Sequence, residues 1–252
     1  MDKDLIQLLE QIETKARLMP FKKDMYNYKH WEVEKIDYVY NTNAIEGNSL
    51  TKRETYLAVI DRITIAGKSL SHHLEAVASS IAFDYVLDLS CKREILTKRD
   101  ILQIHSIVMR DNPSIAGKLR NIDVNIGGSS HRPPSYLEVN DLFECMVECY
   151  SKTMPITLKE ITEFHCKFEN LHPFLDGNGR TGRFVLNLEL IRYGYFPVNI
   201  KFSNRADYYD FLEYYDTTGS IDKLLYIILK QQEEQQNQIK QLSQSKVSHD
   251  NN

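Results

Sequence analysis

A chain of 252 residues with 42% hydrophobic residues, 26% charged residues and a formal net charge of −4 can bury one substantial core, or a core with a helical extension. The slight acidic excess argues against nucleic acid or an anionic membrane as the main partner, and no apolar run approaches the ~18 residues of a membrane span. The opening Met1-Asp2-Lys3-Asp4 does not read as a signal peptide, so a cytoplasmic setting is expected. In that setting Cys91, Cys145, Cys149 and Cys166 are expected as buried free thiols rather than as disulfides or a zinc site.

Helical periodicity dominates from the N-terminus onward. Leu5, Leu8, Leu9 and Ile12 mark an amphipathic first helix, and Trp31, Val33, Ile36, Val39 and Tyr40 a second. Near the end of the second, Thr42 and Glu46 stand four residues apart and share a face, with Gly47 a natural C-cap. A glutamate there meets the negative end of the helix dipole, so a compensating arginine is expected nearby. Thr51, with Glu54 three residues on, predicts a capping box for a third helix that stops at Gly67. A fourth spans about Ser71 to Leu89, with His72 and His73 solvated near its start. Thr97 opens a fifth that carries Ile101, Leu102, Ile104, Ile107 and Val108. Helices follow over 136–152, 158–171, 178–194, 204–217 and 220–240, with Gly194 a stop signal. His105 and His165 fall in apolar periodic segments and read as satisfied core residues. The Gln-, Lys- and Ser-rich tail from Gln231 extends the last helix and then reads as disordered.

One stretch breaks this pattern. Ile122 to Pro134 alternates apolar and polar residues and then turns at Gly127-Gly128. It reads either as a short β-hairpin resting on the helical body or as a surface loop. The fold class expected is therefore all-α with one short β-hairpin.

The chemistry concentrates in His172-Pro173-Phe174-Leu175-Asp176-Gly177-Asn178-Gly179-Arg180-Thr181-Gly182-Arg183. Gly177 and Gly179 leave the backbone unobstructed where a helix begins, and a helix start presents free N–H groups and partial positive charge to an anion. Arg180 and Arg183 are three apart and neighbours on one helix face, and guanidinium groups suit bidentate contact with phosphate. Asp176 would be repelled by polyphosphate unless Mg²⁺ (or Mn²⁺) lay between them, and Mg²⁺ commonly takes one or two carboxylates plus phosphates. His172 suits a general base near neutral pH. Pro173 biases His172 toward an extended backbone at the end of the preceding helix, and Phe174 is expected to pack beneath the loop. No Gly-Lys-Ser/Thr follows, so this is not a P-loop, and no strand-like run precedes it as a dinucleotide fingerprint would require.

This run resembles the signature of the Fic family, His-x-Phe-x-Asp/Glu-Gly-Asn-Gly-Arg-x-x-Arg, at every fixed position. Thr42-Asn43-Ala44-Ile45-Glu46-Gly47 resembles the Ser/Thr-x-x-x-Glu-Gly/Asn inhibitory motif of many Fic proteins, and Gly117-Lys118-Leu119-Arg120 is also similar to the family. The resemblance implies a mainly helical Fic core over 35–230, with an inhibitory helix near 36–47 and the catalytic loop at 172–183. A helical extension at 1–34 would precede it and a polar tail at 231–252 follow. It implies transfer of AMP from ATP to a Ser, Thr or Tyr hydroxyl of a protein target, the chain itself included. In that reading His172 is the base and Asp176 holds the metal ion, while Gly177, Asn178, Gly179, Arg180 and Arg183 hold the phosphates. It places Tyr208, Tyr209 and Asp216 as candidates for adenine contact, the tyrosines serving equally as core; Asn187, four residues after Arg183 on the same helix face, is a further candidate by spacing and serves equally as an intrahelical hydrogen-bonding residue. The hairpin becomes a flap beside the active site, with Val124, Asn125 and Ile126 as the edge that docks a target backbone, and His131 as a candidate for a substrate-side role. Glu46, with Thr42 and Gly47, is expected to pair with Arg183 and occupy the γ-phosphate space. Two other readings stay open: removal of AMP with Glu46 orienting a water, and a nucleotide-binding regulator that transfers nothing. A homodimer would suit the family.

Overall fold

A computed structural model describes residues 1–249 apart from Arg93, Gly128 and Met154, with side chains described through residue 239. Its α-helices are α1 (Lys3–Leu18), α2 (Tyr28–Ile45), α3 (Lys52–Val59), α4 (Leu70–Ser90), α5 (Lys98–Val108), α6 (Tyr136–Lys152), α7 (Leu158–Leu171), α8 (Asn178–Arg192), α9 (Arg205–Thr218) and α10 (Asp222–His249). The helix starts follow the capping chemistry of the sequence. Asp2 and Asn27 accept from backbone amides of α1 and α2, and Thr51/Glu54 and Thr97/Asp100 form complete capping boxes.

The axis of the molecule is α8. Phe184, Val185, Leu186, Leu188, Leu190 and Ile191 turn apolar surface in every direction, so this helix is stable only when surrounded. The helices α2, α4, α5 and α7 surround it, α6 backs α7, and α1 closes the far side against α10. Gly194, at φ +82°, ends α8 in a Schellman arrangement: Tyr195 N–H reaches the Leu190 carbonyl at 2.8 Å, and Gly194 N–H reaches Ile191 at 3.0 Å. The first turn of this central helix is thereby fixed with respect to the whole core.

Several expectations are corrected. The helix opened by Thr51 ends at Val59, well before Gly67, because Arg62 enters the left-handed region (φ +57°) and Ile63 N–H turns back to the Leu57 carbonyl. His73 is buried rather than solvated: its Nε2 accepts from Ile65 N–H at 2.8 Å, so Nδ1–H donates to the Ser69 carbonyl, and the ring ties down the loop after α3. Of the cysteines only Cys166 is buried. Cys145 and Cys149 lie off the buried stripe of α6 formed by Val139, Phe143, Val147 and Tyr150, with their sulfurs 3.8 Å apart at the surface. Within the tail, Gln232 is buried and holds the backbone of Phe196 from both sides, so the helix continues past residue 231 as part of the core. The helix runs on to His249, through residues 241–249 of the tail expected to be disordered, and residues 250–252 lie outside the described residues.

The hairpin is the largest correction. Among the described residues there is no strand, and those within 122–134 form an irregular loop. Gly128, half of the expected turn, lies outside them. Pro133 and Pro134 have no N–H to offer a ladder. The two ends of the loop are instead gathered by one side chain, as Arg120 donates to the carbonyls of Ile122 and Pro134. Between them Ser129 N–H reaches the Ile126 carbonyl at 3.2 Å. No helix among the described residues is long and apolar enough to cross a membrane.

Candidate active site

The junction of α7 and α8 is closed by its own residues and braced by side chains from outside it. His172 is the C-cap of α7, with φ 47° and ψ 60° and its N–H on the Phe168 carbonyl. This left-handed backbone, not the extended one expected ahead of proline, costs about 1–3 kcal/mol in a non-glycine residue and persists only where its surroundings hold it. Phe174, fully buried against Phe143 and Phe168, stacks on the His105 ring at 3.6 Å. Asn178 closes the turn. Its Oδ1 accepts from Phe174 N–H at 2.8 Å, and its amide nitrogen donates to the Phe174 carbonyl at 2.9 Å. Gly177 begins α8 in the left-handed region, and a Cβ there would lie 2.6 Å from the Met109 sulfur. His105 accepts from Gly117 N–H at Nδ1, so its Nε2–H donates to the Asp176 carbonyl at 2.9 Å.

His172 therefore sits on a rigid support. Its Nδ1 lies 3.4 Å from the Glu169 carbonyl, and a proton there leaves Nε2 as the free lone pair. Burial pushes its pKa down to about 4, despite the Glu169 carbonyl and the Glu46 carboxylate, so the ring is neutral near pH 7. It borders an open cleft of about 440 Å³ that is also lined by Glu46, Gly179, Arg183, Tyr209 and, from the loop, Asn125, Ile126, Ser129 and His131.

The far wall of this cleft is the end of α2. Arg183, only 2% exposed, donates from Nε to Thr42 Oγ1 at 2.9 Å and from Nη2 to the Thr42 carbonyl at 2.9 Å and Glu46 Oε1 at 2.6 Å. The cation expected to offset Glu46 at its helix C-terminus is thus Arg183. Gly47, at φ +94°, lets the chain turn away just after it. A Cβ on Gly179 would lie 2.3 Å from Glu46 Oε1, so the carboxylate rests over the first turn of α8, where the helix presents its anion-binding N–H groups. Arg205 donates from Nε to the Ile45 carbonyl at 2.6 Å and ties the same helix end to α9. Glu169 is buried beneath this group, one carboxyl oxygen without a partner, and burial pushes its pKa up to about 8 against the pull of Arg183.

The remaining predicted residues divide. Arg180 is buried with Nη2 against the Met109 sulfur and 3.5 Å from Asp176, and its Nε has no partner. Asp176 is 64% exposed; one oxygen accepts from Gly177 N–H, and a carboxylate of this kind fits the hard-oxygen chemistry of Mg²⁺ or Mn²⁺. The Asn178 side chain is engaged in closing the loop and is not free to meet a phosphate. Asn187 is engaged too, its side chain bonded to both N–H and carbonyl of Val198. Tyr208 is buried, its hydroxyl donating to His165 Nε2, and of the two tyrosines Tyr209 presents more surface to the cleft. Asp216 is held by His131 at 2.6 Å and by the Asn170 amide, which draws it away from a base contact. Val124, Asn125 and Ile126 lie on the irregular loop, with Asn125 and Ile126 on the cleft. Arg120, His105, Arg205 and Glu169 were missed as supports of the site. For Arg120 the motif around Gly117 was the available signal; for the others no local pattern marks them.

The sequence profile of the Fic/DOC family matches residues 95–190. A protein adenylyltransferase Fic from Nematostella vectensis is 36% identical over 181 residues, covering 69% of this chain and 42% of its own. Its counterpart from Aedes aegypti is 34% identical over 183 residues, covering 71% and 36%. The chain spans about two fifths of the length of the curated relatives it matches. Among solved structures, Fic-1 from C. elegans superposes with a TM-score of 0.77 at 26% identity, over 94% of this chain and 71% of that one. A Fic domain protein from Bacteroides thetaiotaomicron shares the fold with a TM-score of 0.75 at 22% identity, over 92% and 94%.

Proposed function

The chain belongs to the Fic/DOC family, and on that premise we propose that it is an autoinhibited protein adenylyltransferase, which moves AMP from ATP to a Ser, Thr or Tyr hydroxyl of a protein target. The observation that carries this reading is the placement of Glu46 Oε1 over Gly179 and 2.6 Å from Arg183, across the same cleft as a neutral His172. A carboxylate over a helix N-terminus occupies the place an anionic substrate group would take.

In the transferring state the target oxygen forms a bond to the α-phosphorus as the bond from that phosphorus to the β-bridging oxygen breaks. Nε2 of His172 takes the hydroxyl proton and pyrophosphate leaves. The backbone N–H groups at the start of α8 face the phosphates, and Arg183, freed from Glu46, turns its guanidinium to them. Asp176 would hold Mg²⁺ or Mn²⁺, which when bound neutralises phosphate charge. Catalysis of this kind is mainly positioning and electrostatic stabilisation.

The test is Glu46→Gly in a labelled-ATP assay, with the chain itself and a cell extract as acceptors. Arg183 keeps both Thr42 contacts, so the fold should survive while the anion site is vacated. Labelled protein should rise at least tenfold over the parent chain. An unchanged signal with normal ATP binding would sink autoinhibition by Glu46. Labelling absent from both chains under all metal conditions would sink transfer itself.

A further inference from the structure

We propose that Arg120 is a positioning residue that sets His172 and the 122–134 loop in one register, so that a docked hydroxyl and its proton acceptor are located by the same guanidinium. The inference deepens the reading of the cleft as a transferase site. Its ground is the hydrogen bonding of one side chain. Arg120, with no exposed side-chain surface, donates from Nε to the His172 carbonyl at 2.9 Å, from Nη1 to the Ile122 carbonyl at 3.2 Å and from Nη2 to the Pro134 carbonyl. Its own N–H reaches the Pro173 carbonyl at 3.0 Å. The nearest carboxylate, Asp123, is 3.7 Å away, largely exposed, and already accepts from Tyr136 N–H at the start of α6.

A buried cation would ordinarily be matched by a buried carboxylate. Here it is matched mainly by three carbonyls from three chain segments, an arrangement that serves geometry rather than charge pairing. Two of the three are the entry and exit of the loop, and the third belongs to the proposed base. His172 also has the left-handed backbone that needs outside support, and Arg120 supplies it at the carbonyl while Phe168 supplies it at the N–H. A lysine could not replace it, since an ammonium is a point donor and a planar fork reaches separated acceptors at once. The loop's other anchors, Ser130 on Glu213 and His131 on Asp216 and the Asn170 carbonyl, fix its far side to α9 and the end of α7, but do not touch His172.

The test compares Arg120→Lys with its parent in the full Glu46→Gly chain, which keeps the charge and removes the fork. Transfer turnover is expected to fall about 10²-fold, the usual consequence of ångström-scale misplacement, with ATP affinity within twofold and the melting temperature little changed. Amide exchange should quicken together in 121–134 and 172–177, and the His172 ring resonance should move without a change in net charge. Parental turnover would overturn the proposal, as would a rate loss matched by lost ATP binding, or cooperative melting of the whole chain. If the Glu46→Gly parent transfers nothing, the transferase reading fails, whereas the ring resonance and the exchange still decide whether Arg120 sets His172.

Discussion

The 172–183 and 122–134 segments border the same cleft, and they differ in how much of their shape comes from local bonds. In the first, local bonds close the turn, with Asn178 on Phe174, Thr181 N–H on the Gly177 carbonyl and Gly177 at the backbone angle required, and distant groups brace it at three carbonyls, Arg120 on His172 and Pro173 and His105 on Asp176. In the second, the shaping contacts come from elsewhere in the chain, with Arg120 at both ends, Glu213 and Asp216 on α9, and Asn170 on α7. A segment that carries its own closure can be rigid before any partner arrives. A segment held by distant side chains takes its shape from the elements around it, which suits a surface that must accept a partner of varied sequence.

The largest effect should come from the rigid side. His172→Ala in the Glu46→Gly chain removes the neutral imidazole proposed as the base. Transfer should fall by about 10²–10⁴-fold, the range for general bases, while ATP binding stays within twofold. Steady-state labelling alongside calorimetric titration with ATP separates the two. Full-rate transfer would reassign the base and remove the main chemical difference between the two segments.

Next comes a pair of truncations that sets one segment against the other. Phe174→Ala empties a fully buried site between His105, Phe143 and Phe168 and should cost about 3–5 kcal/mol of stability. Ile126→Ala, on the half-buried loop, should cost less than about 1 kcal/mol and act instead on target labelling. Denaturant titration measures both. Comparable losses would mean that the entrance loop belongs to the folding core.

That contrast also explains what could be read in advance. The helices were legible because periodicity and capping are local: Thr51 with Glu54 and Thr97 with Asp100 announce helix starts within four residues. The turn from His172 to Arg183 was legible for the same reason. The pairing of Glu46 with Arg183 spans 137 residues and was reached only through the family resemblance and the unfavourable helix end. The hairpin failed because alternation in Ile122 to Ile126 mimics a strand, while the interactions that bend it, such as Arg120 to Pro134, leave no periodic mark. Asn178 and Asp216 were placed at the ligand by family resemblance, and Asn187 by its spacing from Arg183, with an intrahelical hydrogen bond equally open. The structure gives their side chains to backbone and to His131, competition that a linear reading cannot weigh.

The smallest effect is a pH dependence that the closed side should impose on the whole fold. Burial, the first cause in each case, pushes His105 and His172 down to about 4 and His165 to about 3, so each stabilises above its unfolded value near 6.5 and loses that contribution as pH falls. Glu169 and Glu189 run the other way: burial raises them to about 8 and about 7, so their contribution is complete below about 4.5 and fades as pH rises through those values. At pH 5.5 the unfolded chain binds more protons than the folded one, because three histidines outweigh two glutamates, and stability climbs with pH. Above pH 7 the folded carboxyls retain protons that the unfolded ones have lost, and stability declines. The two slopes meet near pH 6.5, with a loss of about 1 kcal/mol by pH 5 and again by pH 8, or about 2–4 °C in melting temperature. Glu169→Gln should flatten the alkaline limb and steepen the acid one, because a single glutamate then offsets the three histidines at pH 5.5. A melting temperature that rises steadily from pH 6.5 to 8 would mean that Glu169 is ionised beside Arg183 in the resting fold, and that the guanidinium is held between two carboxylates rather than by Glu46 alone.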